Sequence, residues 1–178
     1  MSTPTTFHNL HPEPERRIRE IMEQRHPLSL LLDGVADVRN IGGLFRLADA
    51  ARLGELIYLG AGGDWAPGKK EKRISRSTTN YVPFRGISSL EELPEYSLLL
   101  LEWTDKSTSI WDFKPAPDQK YLLALGHEET GISRELLDSG APCLHIPMYG
   151  MNSSMNVTQA AAIATYCLLE KLTLKTPE

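Results

Sequence analysis

Three short segments gather small and polar side chains where apolar runs give way to helical patterns. They are Asn40-Ile41-Gly42-Gly43-Leu44-Phe45-Arg46, Gly126-His127-Glu128-Glu129-Thr130-Gly131 and Ser153-Ser154-Met155-Asn156-Val157-Thr158-Gln159-Ala160. The third is the most telling. Ser, Thr and Asn compete for helical backbone bonds, so a packed helix does not ordinarily spend three hydroxyls and two amides on its first turns. An N-cap needs one such residue, and the others point to a ligand. In the second segment, glycine at each end lets the backbone turn sharply and approach a bound group. The first sets the amide of Asn40 and the guanidinium of Arg46 around two glycines. Such groups can orient a polar substrate and stabilise negative charge that develops on it.

The elements that must carry these segments follow from hydrophobic patterning. Leu28 to Asp33, Leu56 to Leu59, Ser97 to Leu101, Tyr121 to Leu125 and Cys143 to Ile146 are short, nearly continuous apolar runs of strand length. Helical spacing covers Glu13 to His26, Ile41 to Leu53, Ser89 to Leu93, Ser133 to Leu137 and Asn156 to Leu172. Strands alternating with helices predict an α/β protein with a parallel sheet covered on both faces. In such a sheet ligands sit at the carboxyl ends of the strands, where all three segments fall. Residues 1–12 read as a flexible tail and 13–178 as one domain, with 61–80 as an irregular loop.

Composition narrows the possible functions. The net charge of −4 advertises no nucleic-acid binding, so any such partner needs a local basic surface. Two stretches qualify: Lys69 to Arg76, and the helix carrying Arg16, Arg17 and Arg19. Cys143 and Cys167 stand apart in apolar surroundings without CxxC or Cys/His spacing, which predicts free thiols and a reducing compartment. No run approaches the roughly 18 apolar residues of a membrane span, and a cytoplasmic location is expected. No metal-ligand cluster is visible. Gly60-Ala61-Gly62-Gly63 lacks the third glycine of a dinucleotide fingerprint and opens no helix, which argues against a Rossmann-type oxidoreductase.

Taken in order, the three segments resemble the three motifs of the SPOUT RNA methyltransferases, and among them the SpoU/TrmH-type 2′-O-ribose methyltransferases. The likeness covers most of residues 13–172. Ile146-Pro147-Met148 resembles the apolar-Pro-apolar lead into the third motif, Met155 stands where Leu is commoner, and His127 replaces a usual Asn. The resemblance implies the SPOUT fold with a C-terminal deep trefoil knot, although knots run against general expectation. It implies S-adenosyl-L-methionine held around Gly126, Ile146, Met155 and Ser154, with Thr104 as a further wall, and no metal. It implies catalytic or positioning roles for Arg46, Asn40, Glu128, Ser154 and Asn156.

Arg46 is the residue most expected to be essential, in one of two roles. As a base it would have to lose its proton, which costs an ordinary guanidinium roughly 9 kcal/mol at pH 7. As a cationic fork it would grip a phosphate and stabilise an alkoxide. The resemblance also implies an RNA substrate and a homodimer whose closing helix completes the site. An arginine-rich helix leading straight into the first strand resembles the tRNA-acting branch more than the rRNA-acting one. The rival from another class is an RNA- or donor-binding module without catalysis.

Overall fold

The computed structural model describes residues 13–173, and the expected tail over 1–12 lies outside the described residues. Helix α1 (Pro14–Glu23) leads into β1 (Leu28–Asp33), α2 (Val38–Ala50), β2 (Leu56–Leu59) and α3 (Lys69–Ile74). Strands β3 (Phe84–Ile87), β4 (Tyr96–Leu101), β5 (Thr108–Ser109) and β6 (Lys120–Gly126) follow, then α4 (Arg134–Leu137), β7 (Cys143–His145) and α5 (Val157–Thr173). The seven strands form one sheet in the order β3-β2-β1-β6-β4-β7-β5, and every pairing is parallel.

The apolar runs are continuous because both faces of the sheet are covered. On β1, Leu28, Leu30 and Leu32 enter one core with α2 and α5, whereas Leu31 enters the opposite core with Ile132 and Leu136. Strand β6 alternates likewise, with Tyr121, Leu123 and Leu125 on the first side and Leu122 and Ala124 on the second. Each fully buried leucine contributes about 1.5 to 3 kcal/mol, so both faces of these strands stabilise the sheet. Parallel pairing brings the carboxyl ends level: Asp33 of β1 stands beside Gly126 of β6, and Leu101 of β4 beside Leu144 of β7.

Several boundaries differ from the sequence expectations. Helix α1 stops at Glu23, three residues short of His26. Helix α2 starts at Val38, because the Asp37 side chain caps it by accepting from the Arg39 amide at 2.7 Å. It stops at Ala50, where the backbone turns left-handed at Arg52 (φ 49°) and the Leu53 N–H returns to the Ala48 carbonyl. Ser89 to Leu93 is a 3₁₀ turn (Leu90–Glu92) closed by a Ser89/Glu92 capping box, too short to bury an α-helical face.

The segment over 61–80 is far more ordered than its composition predicts. Trp65 stacks on Tyr58 (4.9 Å between centroids) and meets Phe84 edge-on at 5.9 Å. Helix α3 and a 3₁₀ turn (Thr78–Asn80) follow it. Strand β3 escaped the sequence reading because Phe84-Arg85-Gly86-Ile87 is not a clean apolar run. Its Gly86 lies against the Gly62 backbone and Trp65, where a Cβ would overlap both.

Candidate active site

The carboxyl ends of β4, β6 and β7 open into a cleft of about 790 Å³, bounded on its far side by the approach to α5. Its floor is the loop from Gly126 to Ile132, and that loop is braced from three sides. The His127 and Gly131 backbones bond to each other at 3.0 and 2.9 Å. Asp33, at the end of β1, accepts from the Ser133 N–H at 2.6 Å, and Glu102, just past β4, accepts from Ile132 N–H at 3.0 Å. Gly131 has a φ of 71°, and Gly126 lies so close to the Gly131–Ile132 backbone that a Cβ on either glycine would overlap its neighbours. Two acidic residues at the ends of the strands that flank β6 therefore set the shape of the floor, and the glycines make it possible.

A second network joins the three polar segments. The Glu128 carboxylate accepts from the Ala36 N–H (3.2 Å), the Asp37 N–H (3.1 Å) and the Asn40 side-chain amide (2.7 Å). Asn40, 7% exposed, in turn accepts at Oδ1 from the Asn156 side-chain amide (3.0 Å) and the Thr158 hydroxyl (3.3 Å). Asn156 also caps α5, its Oδ1 accepting from the Thr158 N–H at 2.9 Å. Gly43 permits the approach of α2 to α5, since a Cβ there would lie 3.0 Å from Thr158 Cγ2.

Burial alone would raise the Glu128 carboxyl, but the Asn40 amide and the surrounding backbone N–H groups outweigh it and hold the group below its ordinary value. A carboxylate so committed is a poor proton acceptor and a good brace. Asp37, beside it, is held down to about 2 by the side chain and backbone N–H of Arg39.

The sequence-predicted residues fall into two groups. Gly126, Ile146, Met155, Ser154 and Thr104 all line the cleft, together with Glu128 and Asn156. Asn40 and Arg46 do not: Asn40 is sealed into the network behind the rim, and Arg46 is exposed on α2 one helical turn beyond Gly42 and Gly43. His127 accepts from the Glu129 N–H at its Nδ1 (3.1 Å), a turn-stabilising bond. Sequence reasoning missed His145 in the lining and did not single out Glu102, Trp103 or Met148, although it placed the strand end before Thr104 and the Ile146-Pro147-Met148 lead at the site. Trp103 stacks on His145 at 5.0 Å, and His145 Nδ1 is 2.9 Å from the Ser107 hydroxyl. Their signal was position at the ends of β4 and β7, visible once the strands had been placed.

The lining is suited to an amphipathic ligand. Leu101, Leu125, Met148 and Met155 offer apolar surface, Glu102, Thr104 and Ser154 offer polar groups, and the volume lies in the range of small-molecule sites. Fold and cleft together define a parallel α/β protein whose candidate site is made by three loops at a common sheet end. The chain belongs to the SpoU rRNA Methylase family, whose model matches residues 27–166.

Among its relatives, the 23S rRNA (guanosine(2553)-2′-O)-methyltransferase RlmP of Bacillus subtilis is 31% identical over 142 residues, which is 78% of this chain and 56% of that protein. The tRNA (guanosine(18)-2′-O)-methyltransferase of Aquifex aeolicus is 28% identical over 158 residues, 85% of this chain and 73% of that one. The fold is similar to that of an AdoMet-bound rRNA methyltransferase from Sinorhizobium meliloti, with a TM-score of 0.74 and 21% identity over 87% of this chain and 60% of the other. The chain thus spans little more than half the length of the B. subtilis relative.

Proposed function

We propose that this protein is an S-adenosyl-L-methionine-dependent RNA methyltransferase acting on a ribose 2′-hydroxyl, with tRNA as the favoured substrate. The observation that carries the reading is the hydrogen-bonded chain Glu128–Asn40–Asn156/Thr158, which locks three distant segments into one rim beside the cleft. Support for tRNA comes from the A. aeolicus relative, named for tRNA and matched over most of its length.

The donor fits the cleft by chemistry as well as size. Its purine and sulfonium side require apolar and polarizable surface, which Met148, Met155 and Ile146 supply, and its hydroxyls require acceptors such as Glu102 and Thr104. Bound there, the sulfonium supplies an electrophilic methyl carbon, so the protein need only align, dry and neutralise. Ser154, exposed at the rim, holds the ribose side. Glu128, Asn40 and Asn156 act as positioning residues, because their polar atoms are already spent on one another. Arg46, exposed and without an ion pair among the described residues, has the role of stabilising charge on the 2′-oxygen and the adjoining phosphate.

We assign the domain to the deep-trefoil-knot form of the fold and its active form to a homodimer. On α5, Ile163 and Tyr166 are 38% and 53% exposed on the side turned away from the sheet, as an interface between copies would require. A monomer with full activity would defeat that assignment.

The deciding experiment is methyl transfer from labelled donor to bulk unmodified RNA, followed by ribonucleoside mass spectrometry. Label on a 2′-O-methyl nucleoside is expected. Donor binding with no label in RNA would identify a binding module instead.

A further inference from the structure

Resting on that reading, we propose that α3 and the turn after it, Lys69 to Arg76, form the surface that receives the RNA backbone next to the reacting nucleotide. The segment carries Lys69, Lys70, Lys72, Arg73 and Arg76 against a single Glu71, in a chain whose net charge is −4. All five cations are exposed, and none forms an ion pair among the described residues. Five arginines elsewhere are used differently. Arg16 and Arg17 of α1 both pair with Glu20, Arg39 with Asp37, Arg85 with Glu55 and Arg134 with Asp138. Helix α1, the other basic stretch, thus largely neutralises itself.

Three features show that α3 is held in place. Ile74 packs onto Gly42 so closely that a Cβ at position 42 would lie 2.6 Å from Ile74 Cγ2. Ser75 is fully buried, donates to the Lys72 carbonyl at 2.8 Å and offers its own carbonyl to the Thr78 hydroxyl at 2.9 Å. Arg76 and Ser77 are both left-handed (φ 52° and 70°), which non-glycine residues adopt only at a cost. A freely solvated charge run needs none of these constraints.

The dock also fixes where the cations lie. Gly42 is four residues before Arg46 and Gly43 three, so both neighbour Arg46 on the surface of α2. Gly42 receives α3 and Gly43 receives Thr158 at the start of α5. Arg46 therefore stands between the cleft rim and the basic helix. A polyanion with one ribose at the rim would run across Arg46 onto α3. The required partner is a nucleic-acid backbone, recognised through phosphate charge with no sequence reading.

The test is a triple neutral variant, Lys70→Gln/Lys72→Gln/Arg73→Gln, compared with Arg16→Gln/Arg19→Gln in α1. Affinity for in-vitro-transcribed tRNA is measured by filter retention from 50 to 200 mM salt. Each phosphate contact contributes a slope of about 0.7 to 0.9 in log affinity against log salt. Loss of three contacts should therefore shrink the salt-induced fall in affinity by roughly 20- to 40-fold. The KM for RNA should rise, and donor affinity by calorimetry and the melting temperature should match the wild type. The α1 variant should keep the wild-type slope. Wild-type methylation with an unchanged slope in the triple variant would overturn this inference alone. A wild type that neither binds nor labels RNA would overturn it together with the reading on which it rests.

Discussion

The network at the rim makes a quantitative prediction for Asn40→Asp, a nearly isosteric change. Asn40 offers its amide to Glu128 and its oxygen to Asn156 and Thr158. The substitution keeps the acceptor but turns the donor, 2.7 Å from Glu128, into a second carboxylate oxygen. If both groups stay charged, a hydrogen bond to a charged group worth about 1.5 to 3 kcal/mol is lost. Repulsion at that distance adds about 1.5 kcal/mol even at the dielectric of water, which suits the exposed Glu128. The alternative is to protonate one carboxyl, which restores the bond and costs about 3.7 kcal/mol at pH 7 for an ordinary glutamate.

Either route destabilises the fold by about 3 to 4 kcal/mol, or roughly 6 to 15 °C in melting temperature for a chain of this size. The folded pair binds its proton more tightly than the unfolded chain does. Stability is therefore intact below the unfolded carboxyl range and is lost as pH rises above it. At pH 5 the protonation cost falls to about 1 kcal/mol, leaving a deficit of roughly 2 to 4 °C. Thermal unfolding of wild type and variant at pH 7 and pH 5 measures both gaps, and comparison at each pH cancels the other titrating groups. Equal gaps at the two values, or one below 2 °C at pH 7, would refute the donor role given to Asn40.

Other substitutions separate catalysis from architecture. Arg46→Ala should abolish turnover while calorimetric donor binding is largely kept, and equal loss of both would move Arg46 to the donor side. Gly42→Ala should lower the melting temperature through overpacking of about 1 to 3 kcal/mol against Ile74, although alanine is ordinarily worth about 1 kcal/mol more than glycine in a helix. A raised melting temperature would show that α3 yields. Lys171 donates to the carbonyls of Ile110 (3.0 Å), Trp111 (2.6 Å) and Phe113 (2.7 Å), tying α5 to the segment after β5. Lys171→Met should cost about 1.5 to 3 kcal/mol, and urea unfolding with an unchanged midpoint would show the clasp to be idle.

The sequence by itself determined the five apolar strand runs, the closing helix and the glycine-flanked polar segments. These are local signals: continuous apolar runs demand burial on both faces of a sheet, and hydroxyl and amide clusters at a helix start exceed any capping need. The family resemblance it carries marked Gly126, Ile146, Met155, Ser154 and Thr104, which all line the cleft. Only the tertiary structure decided what the polar atoms do there. Asn40, Glu128 and Asn156 look alike as candidates for chemistry, yet their partners come from segments 88 and 116 residues away from Asn40. Composition made 61–80 a loop, because nothing local reveals that Ile74 has a glycine to rest on or Trp65 an aromatic cluster to join. Pairings of that kind arise when chain closure brings distant surfaces together, and hydrophobic periodicity carries no record of them.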